Sequence, residues 1–295
     1  MHTIWITIKA TKRGNRESWG FQDHKCWFTC GGSGFFCWGN CSTLGFMVEE
    51  KKEDVVNRQA VPGWVSGLNR LTNYAVNDFA GGPRPWKFSW VINFQKCGTF
   101  FFLGFLMWYY QNFSITAWVY LAMQGSYGII WFIKDIAFPD PAWQKKITIG
   151  GGLNAFLAVL GWYWVFGWLL ISGVSAPDYP LPDGAWYALC ISLCMIGSVI
   201  MIAADAQKYF TLRYQPGLIT SGMHRYIRHP NYLGETLIYG SFALMVWHWL
   251  PVLVLAWVWG GLFTVNMIMK EASLSRYPEW KEYKKNSKWL LPAIF

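Results

Sequence analysis

SGMHRYIRHPNYLGE, residues 221–235, joins one strongly apolar segment to the next. It gathers His224, Arg225, Arg228, His229 and Glu235 at the start of a run that otherwise has the composition of membrane. So many ionisable groups at such a boundary mark a site. Pro230 suits the first turn of a helix, where its missing N–H is no loss, and its ring drives His229 out of helical geometry. A helix therefore starts near Pro230, which sets Asn231 and Glu235 four residues apart on one face. The arginines lie just outside a positively polarised helix end, a combination suited to an anionic ligand.

Composition fixes the solvent. Of 295 residues 54% are hydrophobic, 19% aromatic and 14% charged, against about 25% charged in soluble domains. The expected fold class is all-α, a polytopic membrane protein with about six to seven transmembrane helices. Apolar segments long enough to span fall near 89–110, 115–133, 148–173, 186–204, 233–249 and 251–269. Lys96 interrupts the first, and the last two share only a Trp-Leu-Pro turn. The formal charge of +9 does not point to nucleic acid, because basic residues gather between apolar runs and form no basic domain. The expected partners are the lipid bilayer and a phosphorylated cofactor.

Connections 111–114, 174–185 and 249–251 hold no Lys or Arg, whereas 134–147, 205–232 and 270–295 are basic. Positive charge marks the cytoplasmic side, so the basic connections and the C-terminus share the cytosolic face. The membrane itself, endoplasmic reticulum or an equivalent, bacterial inner or mitochondrial inner, is left open.

Residues 1–88 form a poorly legible, partly interfacial region, and 89–295 the transmembrane domain. Lys9, Lys12, Arg13 and Arg16 precede the first acid, Glu17, as in an organellar presequence, but abundant Trp and Gly argue against one. Cys26, Cys30, Cys37 and Cys41, with His24 alongside, have a spacing permitted but unusual for zinc, so no metal site is assigned. Cys190 and Cys194, one turn apart inside a span, read as small packing residues.

The connection from Asp205 carries Lys208, Arg213, Arg225 and Arg228, enough cationic charge for a pyrophosphate and one further phosphate. Snorkelling to the interface is the ordinary alternative for any one of them. In the tail, Glu271, Arg276, Tyr277 and Tyr283 are spaced for a short amphipathic helix, either a surface anchor or a lid over the charged pocket.

HRYIRHPNYLGE, followed by two close spans and a tail ending EYKKNSKWLLPAIF, resembles the C-terminal domain of the steroid 5α-reductase family. That family is related to the sterol C14 and C7 reductases and, more distantly, to isoprenylcysteine carboxyl methyltransferases. The resemblance covers roughly 89–295 and is strongest from Asp205 onward. It implies NADPH as cofactor, with Asp205, Lys208 and Arg213 on its adenosine side and Arg225, Arg228, Asn231, Tyr232 and Glu235 on its nicotinamide half. It implies that Tyr127 contacts the substrate ketone, with Gln95 as its polar partner, and makes Glu235 part of the catalytic set. Met201 stands where the family usually has asparagine, and no basic residue closely follows Tyr127.

The expected reaction is NADPH-dependent reduction of a carbon–carbon double bond in a steroid, sterol or other isoprenoid enone, drawn as an apolar substrate from the bilayer. A buried phenol can donate to a carbonyl oxygen as it gains charge, and an amide can orient it. Interhelical hydrogen bonding is the plain alternative for Tyr127 and Gln95. Two rival readings stay open: an S-adenosylmethionine-dependent methyltransferase, since RHPxYxG occurs there too, and a catalytically silent subunit of a larger membrane complex.

Overall fold

The computed structural model describes residues 59–291. The cysteines 26, 30, 37 and 41, His24 and the basic run before Glu17 lie outside them. The described chain is mostly helical. Its helices are α1 Gly63–Asn77, α2 Phe88–Tyr109, α3 Ile115–Ala137, α4 Ile149–Ala155, α5 Trp162–Ile171, α6 Asp183–Tyr214, α7 Pro230–Val246, α8 Trp249–Trp257, α9 Thr264–Leu274 and α10 Trp280–Asn286.

The helices follow the apolar segments, with informative differences. α4 and α5 are joined by a π-helical turn, Phe156–Leu160, and the pair bends by 43°, the expected consequence of a local register change in the hydrogen-bond ladder. α8 and α9 run through a second such turn, Val258–Phe263, as one rod from Trp249 to Leu274. The break between α7 and α8 falls at Trp247, which is left-handed (φ 47°), and His248, not at Trp249-Leu250-Pro251, which begin α8. Lys96 does not interrupt its helix, because α2 turns it inward and keeps 5% of it exposed.

Asp183–Tyr214 and Trp249–Leu274 are long and apolar enough to cross a bilayer, and the bent α4–α5 pair would make a third. That is fewer than the sequence led us to expect. α2 (22 residues) and α3 (23 residues) have the length, but Asn93, Gln95 and Lys96 in one and Gln124, Lys134 and Asp135 in the other dilute their hydropathy. α7 has 17 residues, a length of about 25 Å.

The core is a single cluster of side chains from α2, α3 and α5–α8. α6 and α7 pack along their length, and two glycines set how closely. A Cβ at Gly197 would meet the Gly234 carbonyl oxygen at 2.6 Å, and one at Gly234 would meet the Met201 nitrogen at 2.6 Å. Small residues allow such backbone contact between helices. α1 packs against α4 and α9. Thr148 donates its N–H to the Asn77 carbonyl (3.1 Å), and Trp86–Lys87 pairs antiparallel with Lys146–Ile147.

Polar side chains are buried within this apolar core, while large apolar ones face out. α2 buries Gln95, Lys96 and Thr99 while exposing Phe94, Phe101 and Phe105; α3 buries Gln124 and Lys134 while exposing Trp118, Ile129 and Ile136.

Candidate active site

Local chemistry builds the 221–235 stretch. Gly222 takes φ +58°, open to glycine without strain, and its turn is clamped by Gln207, which donates to the Ser221 carbonyl (2.9 Å) and accepts from the Met223 N–H (2.8 Å). Pro230 occupies the first helical turn and His229 the N-cap, with φ −127° and ψ 57°. The tail folds back on this stretch. Arg228 N–H donates to the Lys288 carbonyl (2.8 Å), Lys288 N–H to the Tyr226 carbonyl (2.7 Å) and the Tyr283 hydroxyl to the His224 carbonyl (2.7 Å). Tyr283 and Trp280 are buried, so α10 turns its aromatic edge to the protein.

Three helices each contribute one polar face. On α3, Gln124, Tyr127, Trp131 and Lys134 follow helical spacing, as do Asn231, Glu235, Tyr239 and Phe242 on α7 and Met201, Asp205 and Lys208 on α6. α2 brings Gln95, Lys96 and Thr99. A Cβ at Gly128 would collide with the Lys96 carbonyl, so this glycine lets α3 approach α2 at the level of Tyr127.

At the centre, Lys96 Nζ donates to the Tyr127 hydroxyl (3.2 Å) and to the Tyr239 hydroxyl, and the two phenols lie 3.3 Å apart. Tyr127 also lies 3.9 Å from Met201 Sδ. The partners of the Tyr127 phenol are therefore Lys96 and Tyr239, not Gln95. Gln95 donates to Thr99 Oγ1 (3.3 Å), and its carbonyl accepts from the Trp164 indole (3.2 Å). Gln95 and Tyr127 nevertheless line one cavity with Lys96, Gln124, Tyr163 and Tyr239. Its volume is about 10 Å³, room for one oxygen-sized group.

Beyond this centre the interior is a ladder of charge. Glu235 lies within electrostatic reach of Lys134, Lys96, Asp205 and Lys270. Asp205 is bridged to Lys134 at 2.7 Å, both side chains being buried, and Lys208 to Asp140 at 2.8 Å. Burial alone would raise the Asp140 carboxyl, but Lys208, with the Ala142 N–H and Lys270, more than offsets this and holds it below its ordinary value. Tyr232 is buried, with the Lys270 ammonium 4.6 Å above its ring.

The arginines divide. The Arg228 side chain is 8% exposed and paired with Glu271 (2.6 Å), and it donates to the carbonyl of Ser287 (2.5 Å). Lys284 reaches the other Glu271 oxygen at 3.1 Å. These residues border a second cavity of about 220 Å³ with Gln59, Ile268 and Trp289. Arg213 and Arg225 are exposed and have no carboxylate within ion-pair distance among the described residues, Arg225 resting on the Tyr226 ring. Burial holds His224 and His229 below the ordinary imidazole value, His229 despite Glu271 at 3.6 Å.

The sequence assigns no site role to Lys96, which stands out only as a break in the first span, to Lys134 and Lys270, which count only as basic connections, or to Tyr163 and Tyr239. Lys96 was detectable as an ionisable group inside an apolar run, and Tyr239 as the next turn along the face of Asn231 and Glu235.

Residues 140–290 match a family model described as protein of unknown function (DUF1295). The chain is 26% identical over 122 residues to steroid 5-alpha-reductase DET2 of Solanum lycopersicum, covering 40% of this chain and 47% of that one. It is 33% identical over 79 residues to the uncharacterized protein C7D4.09c of Schizosaccharomyces pombe, covering 26% and 27%. The chain thus spans less than half the length of either relative. No solved structure matches.

Proposed function

The chain belongs to the DUF1295 family, a steroid 5α-reductase-like family, and from that premise we propose that it is a membrane oxidoreductase. In this reading it uses NADPH to reduce a carbon–carbon double bond in a steroid, sterol or other isoprenoid lipid. The observation that carries it is the buried Lys96–Tyr127–Tyr239 cluster: hydrogen-bonding groups held in an apolar bundle, beside a carboxylate, Glu235, on the face that also bears Asn231.

The donor set fits a dinucleotide phosphate. Arg213, Arg225 and Lys270 have no carboxylate within ion-pair distance among the described residues, which leaves cationic charge for phosphates. Asn231 and Glu235 make no side-chain hydrogen bond among those residues, so amide and carboxylate remain to hold a nicotinamide and its ribose. Asp205, Lys208 and Arg228 are already paired, and we assign them to shaping the site's wall. Bound there, the nicotinamide would supply hydride. Tyr127 then donates a hydrogen bond to the substrate oxygen as charge develops on it. The charged face, with Lys208 and Asp140 at its outer end, excludes apolar substrate and admits the solvent proton that completes the reduction.

We further propose that α2, α3 and α7 cross the bilayer with α6, α8–α9 and the α4–α5 pair, because their polar residues face inward while Phe94, Phe101 and Ile136 face out. The basic connections would then lie on the cytosolic side.

The test is NADPH consumption by the purified chain with a panel of 3-oxo-Δ4 steroids, Δ14 sterols and polyprenals. Reduction of at least one, slowed by Glu235→Gln, supports the reading. An inert panel in which S-adenosylmethionine protects the chain from unfolding and NADPH does not would replace it with the methyltransferase.

A further inference from the structure

We propose that Lys96 is a further catalytic residue, whose ammonium, held between Tyr127 and Tyr239, bonds the carbonyl oxygen of an α,β-unsaturated ketone or aldehyde. The inference deepens the reductase reading and rests on it for the reaction, though not for the binding step.

Lys96 is 5% exposed, in the interior of α2, and has no carboxylate within ion-pair distance among the described residues. A cation in that position is costly inside a membrane bundle and marks function more often than packing. The surroundings make it tenable. Its Nζ lies 4.3 Å from the centre of the Tyr127 ring, 4.7 Å from those of Trp131 and Tyr239 and 5.9 Å from that of Tyr163, so aromatic faces supply part of the missing counter-charge.

An ammonium has three donors and no acceptor. Two are committed to the phenols of Tyr127 and Tyr239, and the third has no acceptor among the described residues, in a side chain that lines the small cavity. The other polar groups of that cavity include two amides. Gln124 gives its amide nitrogen to the Tyr163 carbonyl (3.0 Å), and Gln95 gives its own to Thr99, whose hydroxyl donates to the Gln95 carbonyl (2.6 Å). Both amide oxygens are buried and without a partner among the described residues. Two amides and three of the four aromatic rings around the nitrogen, Tyr127, Tyr163 and Tyr239, line this cavity together with Lys96.

The cavity takes one oxygen atom, not a ring. An oxygen seated there meets an N–H of Lys96 at the point where the phenols converge, and hydride addition to the β-carbon of an enone sends charge to that oxygen. A full positive charge stabilises the developing enolate more than a phenol dipole does, and Tyr127 and Tyr239 fix its position beforehand. An isolated alkene offers this site nothing to bind, which narrows the substrate to conjugated carbonyls.

The experiment uses the full chain in detergent without NADPH, with androst-4-en-3-one and farnesal each labelled with 13C at the carbonyl carbon. In the parent, at least one bound carbonyl signal should move downfield of its position in detergent alone. Lys96→Met should return it there while leaving the melting temperature unchanged or higher, since an apolar side chain replaces a buried charge. Lys96→Gln, a neutral donor, should give an intermediate shift and guards against a misfolded methionine variant. No bound signal for either lipid, an unshifted carbonyl in the parent, or the same shift in Lys96→Met would overturn the proposal. A parallel turnover arm separates the two readings. A Lys96-dependent shift with no NADPH oxidation refutes the reductase and keeps the lysine's role. Turnover that Lys96→Met leaves unchanged refutes the lysine and keeps the reductase; the expected loss is about 10²- to 10³-fold in kcat, as for removal of one oxyanion donor.

Discussion

Tyr127 and Gln95 share a cavity but not a bond, and the difference is measurable. If Tyr127 donates to the substrate oxygen, Tyr127→Phe should lower kcat by about 10²-fold or more without moving the melting temperature. Gln95→Met should cost less, because its amide is spent on Thr99. Equal losses in steady-state turnover would show that Gln95 acts on the oxygen as well. Arg228 belongs to a different class. It and Glu271 are paired at 2.6 Å with 8% and 9% of their side chains exposed, so Arg228→Met leaves the carboxylate to Lys284 alone among the cations and should destabilise by about 1.5–3 kcal/mol, read as a fall in melting temperature. Unaltered stability with impaired NADPH binding would return Arg228 to the cofactor site. The same region sets an acid limit. His224 and His229 titrate below their unfolded values because burial disfavours the charged form, so below about pH 6.5 the unfolded chain binds more protons and stability falls. A thermal melt should show a lower midpoint at pH 5.5 than at pH 7.5; an equal or higher midpoint would contradict the burial of these rings.

Helices decide which of these residues meet. Gly197 and Gly234 let α6 and α7 touch backbone to backbone, and Gly128 does the same for α3 against α2. Gly128→Leu should therefore push Tyr127 from Lys96 and abolish turnover, whereas Gly104→Leu on α2, where an added Cβ meets nothing within 4 Å, should be tolerated. Comparable loss in both would place the effect in the membrane and not in the site. Much of this level was legible in advance. Pro230 and the β-biased residue before it announced the start of α7, and helical spacing put Asn231 and Glu235 on one face. That face continues to Tyr239, whose phenol looks like any other aromatic in an apolar run. The cluster of Lys96, Tyr127 and Tyr239 joins three helices, with residues 31 and 143 positions apart bonded together, and no local pattern encodes such a meeting. The tail shows the same limit. Its amphipathic spacing was visible, but whether Tyr283 faced lipid or the His224 carbonyl depended on a partner 59 residues away.

For the molecule as a whole, membrane character was legible from composition alone, whereas the number of spans was not. Hydropathy averages over a helix, and burying Lys96 in α2 and Lys134 in α3 lowers the average of those two helices. Burial of a few polar groups in an apolar core is also why the site is chemically possible: low dielectric inside strengthens each hydrogen bond and charge that faces the cavity. The central claim is that this interior receives hydride from a nicotinamide. Its most direct measurement is the fate of deuterium from NADPH labelled at C4, supplied to the purified chain with a conjugated isoprenoid aldehyde or 3-oxo-Δ4 steroid and followed by mass spectrometry of the lipid. The account predicts one deuterium on the β-carbon of a saturated product, with the second hydrogen drawn from solvent. Recovery of the unsaturated lipid without label, with deuterium retained on the nicotinamide, would contradict it.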